Sequence, residues 1–153
     1  MPVSRDIVES FRAVYATRNA DKIVEFLHDD VEWTISGPVE YLQFCGTHRG
    51  KAKVFDLIKR EIPLVLRTFS FEPESIVIDG DQVAMLHRQS SRRTEDGRVI
   101  NFRVANFIQF RDGKILQNLS LLDTFDAVEQ MLGQRIQFDV GSKGASETGL
   151  VAV

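Results

Sequence analysis

The fold is decided by residues 79–113, which have the sequence DGDQVAMLHRQSSRRTEDGRVINFRVANFIQFRDG. Three Asp-Gly pairs in this stretch, at 79–80, 96–97 and 112–113, separate long runs of alternating polarity. An Asp-Gly pair between such runs is a strong hairpin signal, because both turn positions must tolerate positive φ. The sequence therefore predicts a four-stranded antiparallel meander over residues 64–123. Long strands twist and curl, which favours a cupped sheet with an interior.

Helices are predicted on both sides of the meander. Ser4 can cap a first helix whose apolar residues recur at helical spacing, and Asn19 is placed to begin a short second one. Alternating polarity around Trp33 predicts an early strand. The helical pattern that follows this strand is expected to end at Pro63, because proline lacks a backbone N–H. A last helix is predicted to start after Asp123.

Composition bounds the class of protein. The chain has 153 residues, of which 43% are apolar and 27% charged, and its net charge is −3. These values are typical of one soluble globular domain, which we place at residues 1–138, with a tail rich in Gly, Ser and Ala at residues 139–153. The sequence has no basic stripe of the kind that neutralises phosphates, so nucleic acid is not an expected partner.

Compartment and metal content are constrained in the same way. The single cysteine, Cys45, cannot form an internal disulfide, and the three histidines lack the spacing of zinc ligands. The N-terminal residues have no apolar core of the signal-peptide kind, and no run approaches the roughly 20 apolar residues of a membrane span. We expect a cytoplasmic protein that uses no membrane, metal or cofactor.

The turns also predict which residues share a site. A two-residue turn at Asp96-Gly97 would place His87 opposite Asn106 on the next strand. With a similar turn at 112–113, three rows would cross the sheet: His87, Asn106 and Leu119; Gln89, Val104 and Leu121; Ser91, Phe102 and Asp123. All three rows lie on the face that also carries the apolar residues Val83, Met85, Ile100 and Ile108.

Polar residues on that apolar face point to a site. Four of them gather there: His87, Gln89, Asn106 and Asp123. Burying a polar group costs about 1–3 kcal/mol unless it is hydrogen-bonded. The four are therefore either one mutually satisfied network or the polar lining of a pocket.

The opposite face of the sheet has a mixed character. It carries Leu86, Arg88, Arg103, Ala105, Phe107, Gln109 and Leu122. Such a face suits a protein contact better than a core or a solvated surface. A contact through one face of a single fold is self-complementary, so we expect a two-fold homodimer through the outer sheet face.

Several motifs in this order resemble one superfamily. They are residues 19–21 (NAD), 26–33 (FLHDDVEW), 46–50 (GTHRG), 107–115 (FIQFRDGKI) and 123–126 (DTFD). Over residues 4–133 the chain resembles the nuclear transport factor 2-like superfamily, and within it the SnoaL-like polyketide cyclase group. The resemblance implies an α+β fold, a cone-shaped antiparallel or mixed sheet wrapped around three N-terminal helices, with a short C-terminal helix. It also implies an apolar pocket and dimerisation through the outer sheet face.

The resemblance does not settle the activity, because members include isomerases, hydrolases, cyclases and plain binding domains. In ketosteroid isomerases a carboxylate base stands where this chain has Ile35, and an oxyanion-binding tyrosine falls at Val14, beside Tyr15. Their oxyanion-binding aspartic acid falls at Asn106, which can still donate a hydrogen bond. Ketosteroid isomerase chemistry would therefore lack its base here.

Two other members place acid/base groups elsewhere. The Arg-x-Asp pair of limonene epoxide hydrolase matches His87 and Gln89, and its second aspartate matches Asp123. The acid/base aspartate of polyketide cyclases also matches Asp123. That residue is equally well placed to cap the last helix, so both roles remain open.

The leading hypothesis is a cofactor-free enzyme that acts by acid/base chemistry on a small hydrophobic organic molecule. His87 and Asp123 would transfer protons, while Gln89 and Asn106 would orient the substrate. The predicted pocket walls are Trp33, Tyr41, Phe44, Phe102, Val104 and Leu121, of which the first three are also plausible core residues. Isomerisation, aldol-type cyclisation, dehydration and epoxide hydrolysis remain open. The alternative is a non-catalytic ligand-binding or association domain.

Overall fold

A computed structural model describes residues 2–137, and the predicted tail at 139–153 lies outside them. The chain forms an α+β structure in which helices pack on one curved sheet. The helices are α1 (Arg5–Ala16), α2 (Ala20–Ile23), α3 (Lys51–Asp56), α4 (Ile62–Val65) and α5 (Thr124–Leu132). The strands are β1 (Leu27–Ser36), β2 (Gly46–Arg49), β3 (Leu66–Asp79), β4 (Gln82–Arg93), β5 (Val99–Arg111) and β6 (Lys114–Leu122).

The six strands lie in the order β2-β1-β6-β5-β4-β3. β1 runs parallel to β6, and every other neighbouring pair is antiparallel. The predicted meander is confirmed as β3 to β6. The sheet is mixed because β1 pairs in parallel with β6, and parallel neighbours require a long connection along the chain. β3 is left as an edge strand, which matters for the site described below.

The predicted helix starts are confirmed. The Ser4 hydroxyl accepts a hydrogen bond from the Ile7 N–H at 3.2 Å, and the Asn19 side chain accepts one from the Lys22 N–H at 3.3 Å. Each cap satisfies a backbone donor that the helix itself leaves unpaired. Within the described residues, no helix has both the length and the apolar character needed to cross a membrane.

The expected end of the third helix at Pro63 is wrong. A π-helical turn, Leu57–Glu61, connects α3 to α4, and helical structure continues to Val65. The turn resets the hydrogen-bond pattern, so that the proline falls in the first turn of α4. Proline is tolerated there because its missing N–H would have had no helical partner.

The turn at Asp96-Gly97 is longer than predicted. The Arg93 N–H donates to the Arg98 carbonyl at 2.8 Å, and the loop between them consists of residues 94–97. A four-residue loop shifts the pairing of β4 with β5 by two residues relative to a two-residue turn. The predicted cross-strand pair of His87 and Asn106 is therefore wrong.

A shift of two residues nevertheless keeps every side chain on its predicted face. His87 pairs with Val104, and Asn106 pairs with Met85. Both polar side chains remain buried on the concave face of the sheet, as diagonal rather than direct neighbours. Gln89 pairs with Phe102 instead of Val104.

The pairing of β5 with β6 differs in a more consequential way. Next to the turn, Arg111 pairs with Lys114 as predicted, but Leu116 is then left unpaired as a bulge. One extra residue exchanges the two faces of the strand beyond it. Leu121, predicted to line the pocket, is instead 41% exposed on the outer face, together with Leu119. Leu122, predicted on the outer face, packs against the core instead.

The concave face is largely filled by side chains. Trp33, Phe11, Phe102 and Phe110 are among the largest buried residues, and they join a continuous apolar core between the helices and the sheet. The open space needed for a ligand is therefore displaced from the middle of the sheet towards the edge strand β3.

Candidate active site

A cavity of about 250 Å³ opens between α1 and the hairpin formed by β3 and β4. The walls on the α1 side include Glu9, Arg12 and Tyr15, and those on the sheet side include Phe71, Met85 and His87. Ligand pockets commonly measure roughly 300–1,000 Å³, so this cavity suits a small molecule. Because most of the wall is apolar, its few polar groups determine what can be recognised.

A bulge in β3 accompanies this opening. The pairing of β3 with β4 shifts by one residue between Pro73 and Ser75, which leaves Glu74 unpaired. Proline is tolerated at that point because β3 is an edge strand, and the bulge bends the strand locally. Pro73 and Ser75 both line the cavity, so the irregular part of the edge strand forms one of its walls.

His87 is the ionisable residue among the described cavity walls on the sheet side. Its side chain is 7% exposed, and its Nε2 has no hydrogen-bond partner among the described residues. The imidazole packs against Phe71 with 5.0 Å between ring centres. A buried nitrogen without a partner carries a cost of about 1–3 kcal/mol, which a ligand could offset.

Burial also sets the protonation state of His87. The pKa of the imidazole falls from 6.5 to about 4, mainly because of burial; a hydrogen bond with the Gln89 side chain and the Glu74 charge oppose this fall, and the Arg18 charge adds to it. Desolvation disfavours the charged form of a histidine. At neutral pH the ring is therefore uncharged and can accept a proton.

Asn106 belongs to a separate buried network. Its amide nitrogen donates to the Asn118 side-chain oxygen at 3.1 Å and to the Ser120 hydroxyl at 2.7 Å. Asn118 also donates to Ser120, at 3.0 Å. The sequence reasoning missed Asn118 and Ser120, because without the bulge at Leu116 their neighbours Leu119 and Leu121 were expected to face inward.

Gln89 is also engaged with neighbouring side chains. Its amide nitrogen donates to the Thr68 hydroxyl at 2.9 Å and to the Ser91 hydroxyl at 3.2 Å. Thr68 and Ser91 are themselves hydrogen-bonded, at 2.9 Å. This arrangement ties the start of β3 to β4, so the predicted role of Gln89 in orienting a ligand remains a prediction.

Asp123 lies at the N-terminus of α5, where its carboxylate accepts a hydrogen bond from the Asp126 N–H at 3.4 Å. The residue is exposed, and neither it nor Asn106 contributes to the described walls of the cavity that His87 lines. The prediction that these three side chains enter one cavity is therefore wrong. Of the two roles left open for Asp123, helix capping is the one that an observed hydrogen bond supports.

The predicted apolar walls fall mainly in the core. Trp33, Phe44, Phe102 and Val104 are all buried, and none of them is among the described walls of the cavity. Tyr41 is exposed in a surface cleft beside Leu64. Tyr15, Phe71 and Met85 line the cavity but were not assigned to the pocket from the sequence.

A metal site does not emerge from the described part of the chain. Within residues 2–137, no three His, Cys, Asp or Glu side chains come together in an arrangement that could hold a metal ion. Burial raises the pKa of the Cys45 thiol to about 11, so this buried cysteine is not a ready nucleophile. The polar side chains that line the cavity are those of Glu9, Arg12, Tyr15, Ser75 and His87.

Comparison with known proteins agrees with this architecture. A model of the SnoaL-like domain matches residues 8–118. A crystal structure from Rhodopseudomonas palustris named "Putative Isomerase" is 33% identical, with a TM-score of 0.70 over 77% of this chain and 87% of that one. An NTF2-like protein from Burkholderia thailandensis is 20% identical, with a TM-score of 0.73 over 86% and 98% of the two chains.

A further structural neighbour is TerC co-crystallised with polyporic acid, which is 19% identical and has a TM-score of 0.70 over 83% of this chain and 96% of that one. No curated protein sequence matches the chain significantly. The fold and the family model together define a class, the NTF2-like α+β proteins. Within that class, the chain belongs to the SnoaL-like domain family.

Proposed function

We propose that this protein binds a small, mostly apolar organic molecule in the cavity between α1 and the β3–β4 hairpin, and that it catalyses an isomerase-type proton transfer there. The observation that carries the proposal is a neutral His87 that lines a mostly apolar cavity and whose buried Nε2 has no partner among the described residues. His87 would accept the proton, and the Tyr15 phenol on the facing helix would donate a hydrogen bond to the substrate carbonyl.

The reaction needs no external oxidant or reductant. In a β,γ-unsaturated ketone, His87 would take the proton from the carbon between the carbonyl and the double bond. The electron pair would move into a dienolate, and the proton would return at the γ carbon. Without a ligand, the pKa of His87 is about 4, so the imidazole is a weak base. The negative charge of the dienolate would raise that pKa during the reaction and compensate for this weakness.

The comparisons support this proposal in two respects. The relative that is 33% identical is named as an isomerase, with the qualification that its name prints. TerC shares the fold and was crystallised with an organic acid, which indicates that an NTF2-like scaffold can hold a small organic molecule. Each observation belongs to the other protein, and for this chain it supports only the choice of reaction and ligand size.

A second candidate is a binding domain without catalysis. Two observations favour it. Asp123, the other predicted proton-transfer group, caps α5 outside the cavity. Glu9, the carboxylate at the rim, is paired with Arg12 at 2.9 Å and with Arg5 at 3.5 Å. The same cavity would then hold a ligand without converting it.

The test is the isomerisation of cyclohex-3-en-1-one to its conjugated isomer, followed by absorbance. General base catalysis typically contributes 10²–10⁴-fold, so His87→Gln should lower the rate by about 100-fold or more. His28→Gln, on β1 and away from the cavity, is the matched control and should retain the wild-type rate. Equal rates in the His87 variant and the wild type would contradict the catalytic proposal and leave the binding candidate.

We also propose that the protein forms a homodimer through the outer face of its sheet. An apolar band crosses that face through paired residues, Val77, Ala84, Phe107 and Leu119, with Leu86, Ala105 and Leu121 in the next row. Phe107 is 51% exposed in the single chain. Contiguous exposed apolar surface of this kind commonly marks a protein contact.

A further inference from the structure

Arg18 occupies an unusual position at the end of α1. It follows Thr17, the C-cap residue, and has a left-handed φ of 56°. Its backbone N–H donates to the Tyr15 carbonyl at 3.1 Å. Glycine or asparagine is the usual residue in that conformation, because a side chain is disfavoured there. An arginine at this position therefore points to a use for its side chain.

The guanidinium of Arg18 lies on two aromatic rings. Its central carbon is 4.8 Å from the centre of the Tyr15 ring and 5.5 Å from that of Phe71. Tyr15 and Phe71 both line the cavity that contains His87. The stack formed by Arg18, Tyr15 and Phe71 thus stands beside the proposed active site.

The charge of Arg18 is incompletely matched by protein groups. Its Nη1 is buried without a hydrogen-bond partner, and no carboxylate among residues 2–137 forms an ion pair with it. Arg12, six residues earlier and within α1, is by contrast paired with Glu9 at 2.9 Å. A buried guanidinium N–H without an acceptor is costly, so this nitrogen is suited to an external oxygen.

Arg18 also lines a second opening, which we call the cationic cleft. This cleft of about 460 Å³ lies between the α1–α2 turn, the π-helical turn with α4, and the start of β3. Its charged residues are Arg18, Lys59, Arg67 and Asp21, of which Lys59 and Asp21 pair at 3.5 Å. Three cations and one carboxylate leave the cleft with an excess of positive charge.

The remaining walls of the cationic cleft are mixed, with polar Asn19 and Thr68 beside five apolar residues. The apolar ones are Ala20, Pro63 and three residues that are buried in the core, Ile58, Ile62 and Leu66. A small inorganic anion would use only the charged rim, whereas an amphipathic acid would cover the apolar walls as well. The combination of an unpartnered guanidinium with an apolar floor defines the chemistry of the occupant.

We propose that the cationic cleft binds a small organic acid, whose carboxylate pairs with the buried Nη1 of Arg18 and whose apolar body lies against Ile58, Ile62 and Leu66. This site is distinct from the cavity of the proposed function and does not depend on it. The two are adjacent, because Arg18 and His87 both contact Phe71. An anion on Arg18 would reduce the positive charge that lowers the His87 pKa, so occupancy should raise that pKa.

The experiment compares 2-naphthoate with its neutral isostere 2-naphthamide by isothermal titration calorimetry. We expect the wild type to bind the carboxylate at least about tenfold more tightly, as a charge-assisted pair gives. Arg18→Gly removes the guanidinium while suiting the left-handed backbone, and it should abolish that preference with the unfolding midpoint changed by no more than about 3 °C. Arg5→Gln, the same charge change at the exposed start of α1, should retain the preference.

Three outcomes would overturn the inference. They are no binding of 2-naphthoate, equal binding of the two probes by the wild type, and an unchanged preference in Arg18→Gly. His87→Gln separates this site from the active-site cavity, because it should leave 2-naphthoate binding within about twofold while removing isomerisation. Binding of naphthoate that depends on His87 and not on Arg18 would refute the cleft site and leave the cavity proposal standing.

Discussion

The imidazole of His87 packs on the ring of Phe71, with 5.0 Å between centres, and this contact joins the two strands that form one wall of the cavity. The contact excludes water from one side of the imidazole and helps to keep it uncharged. Phe71 pairs with Gln89 on β4, so a single pair of strands positions both residues. Protonation, stability and ligand binding at this site should therefore be coupled.

The first prediction concerns stability in acid. His87 has a folded-state pKa of about 4 and protonates near 6.5 when unfolded, so between these values the unfolded chain binds the extra proton. The contribution of the neutral imidazole to the free energy of unfolding is fully present above pH 6.5. It is lost as the pH falls to 4, and the loss is about 3 kcal/mol at most. Urea unfolding at a series of pH values measures this slope.

His87→Gln should flatten the slope in that window, whereas His28→Gln should retain it. Identical slopes for the wild type and the His87 variant would show that the imidazole is solvated in the folded protein.

The second prediction separates the two roles considered for Asp123. Asp123→Ala should destabilise the protein by about 1 kcal/mol through loss of the cap, while Asp123→Asn should cost only a few tenths, because asparagine caps as well as aspartate. Neither change should alter the isomerisation rate more than about twofold, since the carboxylate lies outside the cavity. A large loss of rate in a stable Asp123→Asn variant would restore this residue to the catalytic site.

The third prediction concerns the buried amide network. Asn106→Ala removes the donor to both Asn118 and Ser120 and should cost about 2 kcal/mol, because buried polar groups then lose their partner. Ser90→Ala is the control, because it removes an exposed hydrogen bond between β4 and β5, from the Ser90 hydroxyl to the Asn101 side-chain oxygen at 2.6 Å. It should cost less than about 0.5 kcal/mol. Equal costs in chemical denaturation would mean that the Asn106 network is hydrated.

The fourth prediction concerns assembly. Light scattering should give about twice the chain mass of 17.4 kDa, and Phe107→Asp should reduce the mass to one chain by placing a charge in the apolar band. Phe69→Asp is the matched control, because Phe69 is 56% exposed but lies in a bulge of β3 outside that band. A wild type that scatters as a single chain would exclude the dimer.

Periodicity and turn chemistry were sufficient to predict the strand order of the meander and the helix starts. Ser4 and Asn19 cap their helices as expected, and the inward face of β4 follows from simple alternation. These features depend on local geometry that adjacent residues determine. His87 was found for the same reason, because an error of two residues in register does not change its face.

The predictions that were wrong concern parts of the fold that depend on single irregular residues. The bulge at Leu116 reverses the far half of β6, and nothing in the alternation of residues 117–122 signals an extra residue. Leu121 and Asp123 were therefore assigned to the interior, while Asn118 and Ser120 were overlooked. The cavity itself depends on how α1 packs over the bulge near Glu74, a tertiary contact that no local pattern encodes.

¹⁵N spectra of histidine-labelled protein would show whether a neutral His87 faces the ligand cavity. His87→Gln identifies the resonances by their absence. We expect this ring to remain neutral down to pH 5, to protonate near pH 4, and to change its Nε2 shift when cyclohex-3-en-1-one is added. A midpoint near pH 6.5, with a shift that the ketone leaves unchanged, would mean that His87 is solvated and does not contact the ligand.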